Sequence, residues 1–296
     1  MDRLEDAQEA LNKALSLYED ISNQSGRANS LKSLGDIYLR MNKLEDAQEA
    51  FNKTLALYER ISDQLGQANS LKSLGDLHIM MNKLEDAQET LNKALALYEE
   101  ISFQLGKANS LKSLGDVYMR MDKFEDAQET LNKALAIYKD ISFQFGMANS
   151  FGSLGNLYMR IDKLEDAQET LNKALALYED ISFQLGKANS LKSLGDLYIR
   201  MDKLEDAQEA LNKALSLYED ISFQLGEANS LKSLGDLFMR IDKLEDAQKA
   251  LKKALALYES ISSQLGEANS LKSLGDLYMR MDKLENAQET LNEANS

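Results

Sequence analysis

Apolar and small residues recur at intervals of three and four along this chain, with charged residues between them. In the stretch after Gly106 these positions are Ala108, Leu111, Leu114, Gly115 and Tyr118. Such spacing places them on one face of an α-helix. The pattern predicts a first helix, helix A, over roughly residues 107–120.

A second apolar series follows a short polar segment. Its members are Phe124, Ala127, Leu131, Ala134, Leu135 and Tyr138. They predict a second helix, helix B, over roughly residues 123–141. Asp122, with Glu125 three residues later, has the spacing of a capping box, and Gly146 is a candidate for the turn or cap that follows.

This pair of patterns repeats at a fixed interval along the chain. The sequence LEDAQ starts at Leu4, Leu44, Leu84, Leu164, Leu204 and Leu244, and it varies slightly at Phe124 and Leu284. Each start lies forty residues after the one before. A constant period of this size is typical of solenoids built from stacked repeats.

Two further columns recur with the same period. One is glycine inside helix A, at Gly35, Gly75, Gly115, Gly155, Gly195, Gly235 and Gly275. Because glycine weakens a helix, this column indicates close helix packing, with inheritance by duplication as the alternative. The other column is Phe103, Phe143, Phe183 and Phe223, which predicts packing between the central repeats.

The series Leu114, Gly115, Tyr118, Ala127, Leu131 and Ala134 resembles the tetratricopeptide repeat. The chain departs from that family by carrying Leu111 for its tryptophan, Asp122 for its turn glycine and no closing proline. Its period is about six residues longer than the usual thirty-four. The repeats are similar to the long-helix subclass of kinesin light chains, Pins-type adaptors and NLR-like receptors, as well as to a consensus design.

The resemblance implies an all-α fold, a right-handed superhelical solenoid of antiparallel helix pairs. We expect one solenoid over residues 1–296, with an unpaired B helix and linker over 1–26. Seven A–B repeats would follow over 27–296. The last B helix would be short, near residues 290–296, which makes fifteen helices.

The amino-acid composition limits the classes of partner and of chemistry expected for this chain. The chain has a formal net charge of −15 and contains neither cysteine nor proline. Its acidity disfavours nucleic acid and anionic membranes as partners, since both attract basic surfaces. Absent cysteine excludes disulfides and thiolate chemistry. With no signal-peptide pattern at the N-terminus, a cytoplasmic location is expected.

The resemblance also implies a peptide-binding groove lined by helix A. On the side of helix A away from its apolar stripe lie an asparagine, a lysine, an aspartate and an arginine, which we call the A-face. The candidate residues are Asn109, Lys112, Asp116, Arg120, Asn149, Asn156, Arg160, Asn189, Lys192, Asp196, Arg200, Asn229, Lys232, Asp236 and Arg240. A peptide or protein partner, acidic or carboxylate-bearing, would suit the excess of cations there.

The A-face has a second interpretation. Its charges could pair with one another, as Lys112 with Asp116, and leave only a solvated surface. The fourth unit departs most from the pattern, at Phe145, Met147, Phe151 and Gly152. This departure is either a ligand-specific pocket or drift in a duplicated array.

Neither a metal, a cofactor nor a catalytic site is indicated. His78, the one histidine, stands in the Tyr118 column and is interpreted as a replacement for tyrosine. We therefore expect a non-catalytic interaction scaffold, the sensor or adaptor part of a larger protein. The alternative is a designed or structural array. Such an array would associate end to end, because no obvious capping repeat is present at either end, near Arg3 or near Ser296.

Overall fold

The computed structural model describes residues 2–282 together with residues 286 and 290. That part of the chain contains fourteen α-helices and no β-strand. The helices are α1 (Asp2–Asp20), α2 (Gln24–Arg40), α3 (Leu44–Arg60), α4 (Gln64–Met80), α5 (Leu84–Glu100), α6 (Gln104–Arg120), α7 (Phe124–Asp140), α8 (Gln144–Arg160), α9 (Leu164–Asp180), α10 (Gln184–Arg200), α11 (Leu204–Asp220), α12 (Gln224–Arg240), α13 (Leu244–Ser260) and α14 (Gln264–Arg280). The predicted all-α class of paired helices is confirmed.

Odd-numbered helices correspond to helix B and even-numbered helices to helix A. Within a pair the two run antiparallel, because Tyr138 near the end of α7 reaches Asn109 near the start of α6. The short last B helix expected near residues 290–296 lies outside the described residues, except that residues 286 and 290 are helical. No described helix is long and apolar enough to cross a bilayer.

Two compact units make up the chain, with the division between Gly146 and Met147, in the first turn of α8. In the first unit, Ala87 and Leu91 of α5 form a buried cluster with Leu114 and Val117 of α6. In the second unit, the equivalent cluster joins α9 to α10. Each unit is therefore held together by contacts between helices close in sequence, as expected for stacked repeats.

The glycines inside helix A mark close approach between paired helices. A β-carbon at Gly115 would lie 2.6 Å from Cγ of Leu131, a side chain with no exposed surface. The glycines at positions 35, 75, 155, 195 and 235 face the partner helix in the same way. The packing interpretation of this column is confirmed at these positions.

The turns correct two predictions. Asp122 does not cap α7: it has φ of +58° and belongs to the end of α6, where its N–H reaches Met119 and that of Lys123 reaches Tyr118. These two bonds form a Schellman motif, with aspartate in the left-handed position usual for glycine. The N-cap of α7 is Lys123, whose side chain makes no capping bond.

Gly146 was also predicted wrongly as a turn or cap. It lies inside α8, where an added β-carbon would be 2.4 Å from the ring of Tyr138. Helix A consequently starts earlier than the apolar pattern indicated, at Gln104 in place of Lys107. Phe103 is the N-cap residue there, and its ring lies 5.7 Å from that of Tyr98 at the end of the preceding helix.

A buried serine column in helix A gives a stability test. The hydroxyl of Ser110 is buried without a hydrogen-bond partner, whereas that of Ser70 donates to the carbonyl of Gly66 at 2.8 Å. Since an unsatisfied buried hydroxyl is costly, Ser110→Ala is expected to raise the free energy of unfolding by about 1 kcal/mol. The matched change Ser70→Ala should gain at least about 1 kcal/mol less, because it removes a hydrogen bond. Urea unfolding followed by circular dichroism measures both, and equal effects would contradict this account.

Candidate peptide-binding surface

The asparagines of the A-face are fixed by tyrosines of helix B. The hydroxyl of Tyr138 donates to Oδ1 of Asn109 at 2.6 Å, and Tyr98 donates to Asn69 at 2.7 Å. In the second unit the donors Tyr178, Tyr218 and Tyr258 lie 2.6 Å from Oδ1 of Asn149, Asn189 and Asn229. With Oδ1 engaged, each amide still has two N–H donors to offer to a ligand.

Burial changes the acidity of these tyrosines. It raises the pKa of Tyr98 to about 12, with a smaller contribution from the negative charge of Asp76. Burial likewise raises the pKa of Tyr178 and of Tyr258 to about 12, and that of Tyr138 and Tyr218 above its ordinary value. The tyrosines therefore stay protonated near neutral pH and remain hydrogen-bond donors to the asparagines.

Lysines and aspartates of the A-face pair within each helix. Nζ of Lys112 lies 2.6 Å from Oδ2 of Asp116. The same two atoms are 2.5 Å apart in Lys192 and Asp196, and 2.7 Å apart in Lys232 and Asp236. This pairing is the one expected under the second interpretation, in which the charges of the A-face pair with one another. The excess positive charge inferred from the sequence is consequently partly neutralised inside the surface itself.

The aspartates also hold consecutive A helices together. Ser113 of α6 donates to Asp76 of α4 at 2.9 Å, and Ser233 of α12 donates to Asp196 of α10 at 2.8 Å. The sequence pattern did not indicate a role for these serines, although they recur with the same period. Their contact with an aspartate thirty-seven residues earlier depends on how successive helices stack.

The arginines form caps on the preceding A helix. Nη1 of Arg120 donates to the carbonyl of Ile79 at 2.7 Å, and that of Arg240 donates to Ile199 at 2.5 Å. Arg200 makes the same contact with Met159 and pairs with Asp162 at 2.8 Å. Turn aspartates with left-handed backbone conformation, such as Asp162, therefore take part in the contacts made by the arginines. The arginines connect neighbouring repeats.

Two A helices, α4 and α8, depart from this arrangement. Met80 stands where the other A helices carry arginine, and it cannot donate a hydrogen bond to the end of α2. In the fourth unit, Asn156 is exposed on α8, Arg160 lies at the end of that helix, and Lys173 lies over the ring of Phe151 at 5.8 Å.

His78 is half-buried, and its Nδ1 lies 3.3 Å from the hydroxyl of Thr90. It occupies the tyrosine column, as the sequence indicated. Among the described residues, no group of three or more histidine, cysteine, aspartate or glutamate side chains is arranged to hold a metal ion.

Repeated antiparallel pairs, linked by hydrogen bonds from one A helix to the next, define a helical repeat protein. The sequence profile of the tetratricopeptide repeat matches residues 1–60, 47–100, 66–140, 146–220 and 226–294. The chain therefore belongs to the tetratricopeptide repeat family. No curated protein sequence matches it.

Solved structures share this fold at low sequence identity. The apo form of the quorum sensor NprR from B. thuringiensis is 14% identical, with a TM-score of 0.76 over 97% of this chain and 81% of that one. The Rap conjugation gene regulator of plasmid pLS20, in complex with the Phr* peptide, is 16% identical, with a TM-score of 0.72 over 93% and 75%. A signal transduction ATPase with a tetratricopeptide repeat sensor, from Pyrococcus horikoshii, is 15% identical, with a TM-score of 0.71 over 97% and 46%.

Proposed function

We propose that this chain is a non-catalytic scaffold whose A-face binds a peptide or an extended protein segment. The observation that carries the proposal is the tyrosine–asparagine bond, which fixes the acceptor atom of each amide and leaves its donors for a ligand. A peptide backbone offers carbonyl oxygens at regular intervals, and a series of amide donors suits them. The similar Rap structure, which holds a peptide, supports this choice.

The charged residues contribute differently from what their sequence suggested. The lysines and arginines are engaged with aspartates and helix ends, so they organise the surface more than they attract a ligand. A carboxylate on the ligand would find a partner only by competing with these contacts. The proposal for the parent protein is a sensor or an adaptor, in which this chain provides the binding part.

A test follows from the two functions of each amide. Asn189→Asp and Asn229→Asp keep an oxygen for the tyrosine hydroxyl and remove the N–H donors. A displayed-peptide selection on the parent chain supplies a ligand, and its affinity is then measured by fluorescence polarisation. The double variant is expected to bind roughly tenfold more weakly or worse, because it loses donors and gains negative charge.

Asn132→Asp combined with Asn172→Asp, on the exposed sides of α7 and α9, is the matched control. It adds the same charge away from the A-face and should leave the affinity unchanged. Enrichment of no peptide, or equal affinity of the double variant and the parent, would contradict the proposal. Unchanged circular dichroism in both variants shows that any loss of binding does not reflect unfolding.

A further inference from the structure

A surface groove lies between α11 and α13, on the other side of α12 from its A-face residues. Its floor is apolar and consists of Leu215, Leu231, Leu234 and Phe238. Lys249 and Lys253 of α13 line its edge, and its volume is about 300 Å³. We call this the basic groove.

A sister groove of about 250 Å³ occupies the equivalent place between α9 and α11. Its floor is Leu175, Leu191, Leu194 and Tyr198, which differs only in the tyrosine hydroxyl. Its edge differs more, because Glu209 stands at the position equivalent to Lys249 and pairs with Lys213 at 2.5 Å. The lysine of the sister groove is therefore neutralised by its own helix.

The same glutamate–lysine pair occurs on four further B helices. Lys53, Lys93, Lys133 and Lys173 lie 2.5 to 2.7 Å from the glutamate four residues earlier. On α13 the change to Lys249 removes this partner and puts two like charges one helical turn apart, an unfavourable arrangement by itself. Both lysines are exposed.

The substitution makes the groove positive. The sister groove is lined by Asp206, Glu209 and Lys213, and together with Lys203, the equivalent of Lys243, these residues have a net charge of 0. The basic groove is lined by Lys243, Asp246, Lys249 and Lys253, a net charge of +2. In a chain of formal charge −15, this combination of ammonium groups and an apolar floor is complementary to an acidic, amphipathic ligand.

We propose that the basic groove binds an acidic amphipathic helix from a partner protein. Apolar side chains at helical spacing lie on Leu231 and Phe238, which are half-buried, and two carboxylates of the ligand pair with Lys249 and Lys253. An apolar groove of this kind accepts one face of a helix through anchors spaced three and four residues apart. The site is separate from the A-face, so it does not depend on the function proposed above.

The test uses a fluorescein-labelled peptide of about sixteen residues, roughly four helical turns, with leucines on one face and glutamates beside them. A second peptide carries glutamine in place of each glutamate. The parent chain should bind the glutamate peptide at least tenfold more tightly than the glutamine peptide, as expected if charge recognition contributes. Equal binding of both peptides, or binding of neither, would overturn the proposal.

Two variants locate the site without disturbing the fold, because each places a residue that another repeat already has. Lys249→Glu restores the ordinary glutamate–lysine pair and should weaken binding of the glutamate peptide roughly tenfold or more. Glu209→Lys converts the sister groove and should let the chain bind a second equivalent of peptide, as measured by isothermal titration calorimetry. Arg60→Glu, at the exposed end of α3 where α5 carries Glu100, makes the same change of charge outside both sites and should leave this affinity unchanged.

Unaltered binding by Lys249→Glu would show that the peptide is held elsewhere. The other occupant to test is a second copy of this acidic chain. Light scattering across a range of concentrations measures whether the chain associates with itself. Association of the parent that Lys249→Glu abolishes would assign the groove to self-association and overturn the proposal of a separate partner.

Discussion

Replacing Gly155 with alanine should lower the free energy of unfolding by about 2 kcal/mol, even though alanine is the better helix former. The new β-carbon would lie 2.6 Å from Cγ and 2.7 Å from Cδ2 of Leu171. Leu171 is 1% exposed, so its side chain is enclosed in the core between the two helices. The two helices must therefore separate, and the loss of packing exceeds the gain of about 1 kcal/mol in helix propensity.

The same helix provides the control. A β-carbon at Gly152 meets nothing within 4 Å, and other repeats carry lysine at that position. Gly152→Ala should therefore raise the free energy of unfolding by up to about 1 kcal/mol. Urea unfolding of the two variants, followed by circular dichroism, gives opposite signs if packing explains the glycine column. A stabilising Gly155→Ala would show that the column reflects duplication alone.

The second large effect is loss of stability at alkaline pH. The pKa of Tyr98, Tyr178 and Tyr258 is about 12 in the folded chain, against an ordinary value of 10.0. Above pH 10 the unfolded chain loses these protons first, so the folded state binds more protons and stability falls as the pH rises. The stabilisation is complete below pH 10 and is lost as the pH passes about 12.

Each of these tyrosines contributes on the order of 2 kcal/mol to this change. Three of them together can abolish the stability of an ordinary domain. Urea unfolding at several pH values between 10 and 12 measures the loss, and tyrosinate absorbance reports ionisation in the same samples. Twelve tyrosines contribute to the absorbance, so the relevant signal is the difference between the parent and a variant that lacks these three. That difference should change together with the loss of stability, because ionisation of the buried hydroxyls requires opening of the helix pairs.

Replacing Tyr98, Tyr178 and Tyr258 with phenylalanine is the control for the lysines, which also lose protons in this range. The triple variant should be less stable at neutral pH, where it lacks three hydrogen bonds, and should lose less stability between pH 10 and 12. A difference in tyrosinate absorbance between the parent and the triple variant that already appears near pH 10, with the helical signal of the parent intact, would show that these hydroxyls are not buried.

The two proposed sites use different variation among the repeats. The A-face depends on residues that recur in nearly every repeat, such as the asparagine that accepts a tyrosine hydroxyl. The basic groove depends on Lys249, which departs from all the equivalent positions. A partner of the first site would be held along several repeats, whereas a partner of the second would be held at one place.

By itself, the sequence determined the helices, their forty-residue period and the family, because helix formation depends on a local spacing of apolar residues. The tight packing at Gly115 was also readable, since a recurring glycine in a helix needs a reason. It did not reveal that Asp122 ends one helix and does not begin the next. Both functions use the same residue type within a few positions, and only the backbone geometry separates them.

Tertiary structure alone decided what the polar side chains do. Arg240 looked like a free cation, yet it caps α10, forty residues earlier in the repeat pattern. Asn229 looked like an unassigned amide, yet a tyrosine from the paired helix fixes its acceptor. The net charge of the groove beside Lys249 likewise depends on which residues of three helices meet. Such contacts join residues far apart in sequence, and their hydrogen bonds and ion pairs exist only after the helices have stacked.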